Sequence, residues 1–126
     1  MDENLRDRLL RFAVEVGWVC DQLPESKLGI QVSDQLIRSG TSPGPNYEEA
    51  CGAESRRDFI HKMSVCLKEL RESEFWLRFI GASNLLSGDR VTALHDESTQ
   101  LCRIFGKSIV TAKRNDPKQR AWRNHN

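Results

Sequence analysis

The sequence has no long run of apolar residues. Among its 126 residues, the longest stretch without Lys, Arg, Asp or Glu is the ten residues from Phe79 to Gly88. A membrane-spanning helix needs roughly 20 apolar residues, so none is predicted. The sequence begins Met1-Asp2-Glu3-Asn4, without the apolar segment of a secretory signal. We therefore expect a cytoplasmic protein that makes no contact with a membrane.

Neither sign of charge dominates, because 19 Lys and Arg stand against 18 Asp and Glu, a net charge of +1. This balance excludes a uniformly basic nucleic-acid-binding protein and an acidic disordered chain. Along the chain the charge is uneven. Residues 113–126 hold five cations against Asp116, a net charge of +4, which leaves −3 on residues 1–112. We expect one compact domain, residues 1–114, followed by a basic, flexible tail, residues 115–126.

Patterns typical of metal sites and of catalysis are missing as well. The four cysteines form no C-x-x-C pair, and no histidine lies near them at metal-ligand spacing. The glycine-rich segment 40–44 lacks the Lys of a phosphate loop, and no G-x-S-x-G nucleophile turn occurs. We predict reduced thiols, no metal or cofactor, no small-molecule substrate, and no enzymatic activity.

A helical period runs along nearly the whole sequence, and no strand-like alternation occurs. The first apolar stripe stops at Pro24, Ser26 and Ser55 are candidate N-caps, and the last helix begins near Gly88. Short connections favour antiparallel neighbours, so the pattern predicts an all-α, up-down-up-down four-helix bundle. The main apolar stripes are Leu5, Leu9, Phe12, Val16, Val19 and Leu23; Leu28, Val32 and Leu36; Phe59, Met63, Cys66, Leu70 and Leu77; and Val91, Leu94, Leu101, Phe105, Ile109 and Ala112.

Proline is scarce, but two of the four prolines lie in the segment Gly40–Asn46 together with two glycines. Each interior proline costs roughly 3 kcal/mol in an unbroken helix. We therefore predict that the second helix is kinked or broken between Gly40 and Asn46.

Two sets of residues are candidates for binding. The basic tail combines cations with one tryptophan, which together can hold phosphates and stack on an unpaired base; the alternative is a tail that only solubilises. Trp18, Trp76 and Phe79 lie off the main stripes and are candidates for an oligomer interface, unless the bundle packs more widely than one stripe per helix. The predicted nucleic-acid-binding residues are Lys113, Arg114, Lys118, Arg120, Trp122 and Arg123.

Several segments between Gln35 and Ile80 resemble a known bacterial family. These segments are Gln35-Leu36-Ile37-Arg38-Ser39-Gly40-Thr41-Ser42, Asn46-Tyr47-Glu48-Glu49-Ala50, Asp58-Phe59-Ile60-His61-Lys62-Met63 and Lys68-Glu69-Leu70-Arg71-Glu72-Ser73-Glu74-Phe75-Trp76-Leu77. The family is that of four-helix bundles encoded in 23S ribosomal RNA intervening sequences, the S23 proteins. The sequence departs from it at Pro43 and Pro45, where relatives tend to have Ile and Ala, and at Glu74, where they are usually uncharged.

This resemblance implies a small antiparallel bundle, often assembled as a homopentamer, without agreed catalytic residues. A related branch comprises the accessory variability determinants of diversity-generating retroelements, basic bundles that bind nucleic acid and partner with a reverse transcriptase. The resulting hypothesis is a non-enzymatic, oligomeric scaffold or adaptor that contacts structured RNA or a nucleoprotein through clustered basic surfaces. The alternative is a protein-binding bundle with no nucleic-acid role.

Overall fold

The structure, a computed structural model, describes residues 4–115. It contains five helical segments: α1 (Leu5–Gln22), α2 (Lys27–Thr41), α3 (Pro43–Cys51), α4 (Arg56–Ala82) and α5 (Asp89–Arg114). No strand occurs within this part of the chain. The tail from residue 116 onwards, with the predictions made for it, lies outside the described residues.

The helices begin where the capping residues predict. The Ser26 hydroxyl oxygen accepts a hydrogen bond from the backbone N–H of Gly29 at 3.0 Å. The Ser55 hydroxyl oxygen accepts one from the N–H of Asp58, also at 3.0 Å. Each bond satisfies one of the backbone donors that the first turn of a helix leaves without an intrahelical partner. At its other end α1 stops at Gln22, just before Pro24.

Segments α2 and α3 are the two halves of one bent helix, which confirms the predicted kink. Ser42 between them keeps right-handed helical angles (φ −78°, ψ −36°), and its carbonyl accepts a hydrogen bond from Asn46 N at 3.2 Å. Pro43 and Pro45 have no N–H to continue the helical ladder. The hydroxyls of Thr41 and Ser42 donate to carbonyls one turn earlier, each at 2.6 Å. The chain therefore bends at this point without leaving the helical path.

The four long elements form a bundle in which α1, α2, α4 and α5 surround one core, while α3 packs against α4 and α1. The predicted stripes supply most of this core. In α1, for example, Leu9, Phe12, Val16 and Val19 are buried. Between α2 and α4, the buried hydroxyls of Ser73 and Ser39 form a hydrogen bond of 2.9 Å. The all-α four-helix bundle predicted from the periodicity is thus confirmed.

Candidate interaction surfaces

Only the first two residues of the predicted basic site fall within the described part of the chain. Lys113 and Arg114 lie in the last turn of α5, and both are exposed. Cations in this position also interact favourably with the negative end of the helix dipole. Lys118, Arg120, Trp122 and Arg123 lie outside the described residues, so their participation stays a prediction.

Trp18, proposed as an interface residue, is half-buried and partly covered by its own chain. The Arg90 guanidinium lies 3.7 Å from the centroid of the indole ring. Arg90 is held there by two hydrogen bonds to the Glu15 carboxylate, at 2.8 and 2.9 Å. A guanidinium over an indole face is a favourable cation–π arrangement. Arg90 therefore occupies one face of the ring, and a role for Trp18 in assembly stays a prediction.

Trp76 and Phe79, the other proposed interface residues, are half-buried against the core. They form an aromatic cluster with Phe75, whose ring centroid is 5.0 Å from that of Trp76 and 6.3 Å from that of Phe79. Phe75 is the most exposed member, at 53%. Phe75 was not among the predicted interface residues, although its adjacency to Trp76 in the sequence was a usable signal.

Exposed aliphatic side chains also lie on α1 and α2. In α1, Leu10 and Val14 are one turn apart and 64% and 62% exposed, and in α2 Ile37 is 38% exposed; we call these three residues the α1–α2 apolar strip. Leu10 also lines a groove of about 710 Å³ with Ala13 of α1 and Pro45 of α3. The sequence shows that Leu10 and Val14 are four residues apart and therefore on the same side of α1. Because they lie beside the main apolar stripe, the helical period alone did not indicate a second apolar surface.

Ion pairs neutralise most cations along the α1 and α2 sides of the bundle. Arg38 bridges α2 to α4 through Glu72 at 2.6 Å and Glu69 at 3.5 Å. A further pair joins α1 to α3 and two more join α1 to α5. These pairs are Arg6–Glu48, Arg8–Glu97 and Arg90–Glu15.

The chemistry open to metal-ligating groups and thiols depends on their placement and burial within the described residues. No group of three or more His, Cys, Asp and Glu in residues 4–115 is placed to hold a metal ion. Burial raises the pKa of the Cys66 thiol to about 12 and that of the Cys102 thiol to about 11, so both remain protonated, poor nucleophiles at neutral pH. Across the same residues, no helix is both long and apolar enough to span a membrane.

Comparison with known proteins agrees with the resemblance seen in the sequence. Residues 4–107 match the model of the family described as 23S rRNA-intervening sequence protein. A crystal structure of a protein of unknown function from the S23 ribosomal protein family of Bacteroides thetaiotaomicron VPI-5482 is 32% identical. The similarity covers 84% of this chain and 98% of that one, with a TM-score of 0.77.

A search of curated proteins finds no match. The family match nevertheless extends from the N-cap of α1 into the second half of α5, and the related structure shares the fold over the same bundle. The chain therefore belongs to the 23S rRNA-intervening sequence protein family.

Proposed function

We propose that the protein is a cytoplasmic, non-enzymatic scaffold that self-associates and contacts structured RNA or a nucleoprotein, such as a reverse transcriptase, through its basic tail. The observation that carries this proposal is the α1–α2 apolar strip. Leu10 and Val14 each leave more than half of an aliphatic side chain in water, one turn apart on the same helix. Contiguous exposed apolar groups of this kind mark surfaces that another molecule covers.

A second copy of the chain is the occupant that we propose for this strip. The groove beside it is bordered by Arg6 and Glu48, an ion pair of 2.6 Å whose side chains are both about half exposed. Such a surface has an apolar centre and a polar rim, as protein–protein interfaces do. By resemblance to the S23 proteins, we propose five copies per assembly.

Assembly also gives the tail its proposed role. A single segment of net charge +4 binds a polyanion weakly. Several such segments displayed together raise the effective concentration of cations and the number of counterions released on binding. The proposed contact residues are Lys113, Arg114, Lys118, Arg120, Trp122 and Arg123.

Sedimentation velocity at micromolar concentration tests self-association. We expect the wild-type chain to be an oligomer and the double variant Leu10→Gln, Val14→Gln to shift to a monomer, because the substitutions remove apolar area from the interface. Val110→Gln is the matched control, since Val110 is an aliphatic residue of α5 that is 48% exposed. A monomeric wild-type chain, or equal effects of both variants, would overturn the proposed interface.

Titration of a labelled structured RNA tests the tail. We expect the variant Lys118→Gln, Arg120→Gln, Arg123→Gln to bind more weakly and with a shallower salt dependence, because fewer phosphates are neutralised. The competing function is a bundle that binds only proteins, which the strip supports equally. It predicts no RNA binding by the wild-type chain even at low salt.

A further inference from the structure

We propose that the outer face of α4 and the adjoining part of α5 form a binding surface for a nucleic-acid strand with unpaired bases. This inference deepens the proposed function and rests on its nucleic-acid partner, but it places the contact on the folded body instead of the tail. Residues 1–112 have a net charge of −3, but their cations and acids are distributed unevenly over the surface of the bundle.

One side of α4 carries cations and no acid over most of its length. Its exposed residues follow one another at alternating steps of four and three, so they lie in a single line along the helix. At about 1.5 Å per residue, the line is about 32 Å long. Its members are Arg57, His61, Ser64, Lys68, Arg71, Phe75 and Arg78.

Helix α5 adds a further exposed cation. The two helices pack side by side, and the Arg71 and Glu74 side chains are close enough to Cys102 to act on the pKa of its thiol. Arg103 follows Cys102 directly in the sequence and is exposed. We call the combined surface the α4–α5 basic face. Its cations are Arg57, Lys68, Arg71, Arg78 and Arg103.

The cations of this face have no acidic partner, unlike several arginines elsewhere in the bundle. Arg6, Arg8, Arg38 and Arg90 are all in ion pairs across helix seams. None of the side chains of the α4–α5 basic face takes part in an ion pair within residues 4–115. The charge that these side chains carry is therefore available to an external anion.

Phe75 lies in the middle of the cationic line and indicates what kind of anion fits. Arg71 and Arg78 lie about one helical turn before and after it. Its contacts with Trp76 and Phe79 support the ring, while 53% of it remains exposed. Cations that track a backbone, interrupted by an aromatic ring on which a base can stack, are the elements with which proteins hold single-stranded nucleic acid.

A fully paired duplex or an acidic protein fits this arrangement less well. Bases in a duplex are stacked on one another and offer no free face to Phe75, whereas an unpaired base does. An acidic protein surface could pair with the cations but would leave Phe75 without a specific role. The surface therefore fits a strand whose unpaired base reaches the ring while its phosphates meet the flanking arginines.

Fluorescence anisotropy of a labelled, unstructured oligouridine with the full-length protein tests the cations. For the variant Arg71→Gln, Arg78→Gln we expect a roughly tenfold or greater loss of affinity at low salt, and a salt slope smaller by about 1.4, since each single-strand phosphate contact contributes about 0.7. The matched control is Arg8→Gln, Arg38→Gln, which removes the same charge from two arginines that are held in ion pairs. Equal losses in both variants would show a non-specific effect of net charge and overturn the assignment.

Replacing Phe75 tests the base contact separately. We expect Phe75→Ala to weaken oligouridine binding by at least about fivefold, as removal of a stacking platform does. Its affinity for inorganic polyphosphate, which has no bases, should stay unchanged. If Phe75→Ala weakens both ligands equally or neither, or if the wild-type protein prefers a duplex of the same length, the proposed strand is wrong.

The tail variant distinguishes binding by the α4–α5 basic face from binding by the tail. If Lys118→Gln, Arg120→Gln, Arg123→Gln abolishes oligouridine binding while Arg71→Gln, Arg78→Gln leaves it intact, the tail binds the strand and the α4–α5 basic face does not. The reverse result would show that the α4–α5 basic face binds the strand and that the tail does not. In both cases, sedimentation of the same variants reports self-association independently of the RNA.

Discussion

At the scale of single residues, the contact between α1 and α2 depends on the absence of a side chain at Gly40. A Cβ atom built on Gly40 would come within 2.7 Å of both methyl carbons of Val16, which is completely buried. Neither partner has room to move away in a close-packed interior. We expect Gly40→Ala to lower the free energy of unfolding by about 1–3 kcal/mol through overpacking, as measured by urea denaturation.

The matched control is Gly106→Ala in α5, where a Cβ atom would meet nothing within 4 Å. Alanine is favoured over glycine in helix interiors, so this variant should be more stable by about 0.5–1 kcal/mol. Adding Val16→Ala to Gly40→Ala should recover part of the loss, because it removes the two methyl groups that clash. A stabilising Gly40→Ala would contradict the close approach.

The four cysteines should differ widely in reactivity. Cys51 is exposed, whereas Cys66 is buried with its pKa raised to about 12. Because the thiolate is the reactive form, we expect Cys51 to be alkylated first and Cys66 last by iodoacetamide at pH 8. Burial also raises the pKa of Cys20 and Cys102, so these thiols should react at intermediate rates.

Peptide mapping by mass spectrometry measures this order in the folded protein, and alkylation in urea supplies the control. All four thiols should react at similar rates once unfolding removes burial. Fast alkylation of Cys66 in the folded chain would show that the contact between α3 and α4 opens readily.

At the scale of elements, the start of α4 depends on one hydroxyl. Ser55 caps the first turn through its bond to Asp58 N. We expect Ser55→Ala to lower the free energy of unfolding by about 1 kcal/mol, because it leaves a backbone N–H without its acceptor. Ser87→Ala, just before α5, is the control; Ser87 is exposed and caps no helix, so a change within about 0.5 kcal/mol is expected. Thermal denaturation of the two variants in parallel checks the difference.

The sequence predicts those features of the helices that depend on residues close together in the chain. Pro24, Ser26 and Ser55 act on neighbours within one turn, so the sequence predicts the helix boundaries near them. The predicted kink at Pro43 and Pro45 is correct for the same reason. The sequence left open whether the helix is kinked or fully broken there. In the structure Ser42 keeps helical angles, and α3 packs against α4 and α1.

At the scale of the whole molecule, the interaction surfaces were harder to predict than the fold because they depend on pairs distant in sequence. Arg90 and Glu15 are separated by 75 residues, and Arg38 and Glu72 by 34. Whether an arginine is paired or available, and whether Trp18 is covered, cannot be decided from spacing along the chain. The three- and four-residue steps in the sequence were enough to predict the line of cations along α4. The sequence could not show that these cations lack acidic partners.

The contact between α1 and α5 also involves pairs that are distant in sequence. These pairs should make the stability of the fold depend on pH, which can be tested. These two helices touch lightly, and Arg8–Glu97 and Arg90–Glu15 join them. The hydrogen bonds from Arg90 lower the pKa of the Glu15 carboxyl. A carboxylate whose pKa is lower in the folded chain than in the unfolded chain stabilises the fold above its ordinary pKa, and this contribution disappears as the pH falls through the lowered value.

We therefore expect Glu15→Gln to lower the Tm at pH 7 and to reduce the further fall in Tm between about pH 5 and pH 2, the range in which a carboxylate with a lowered pKa takes up its proton. Glu54→Gln is the control, since Glu54 is exposed and forms no ion pair within residues 4–115. Its Tm curve should run parallel to that of the wild-type chain. High salt should narrow the gap between wild type and Glu15→Gln at pH 7, because both side chains of the pair are partly exposed and salt screens their attraction. A gap that stays constant across both pH and salt would mean that the charge of the Glu15 carboxylate does not stabilise the contact between α1 and α5.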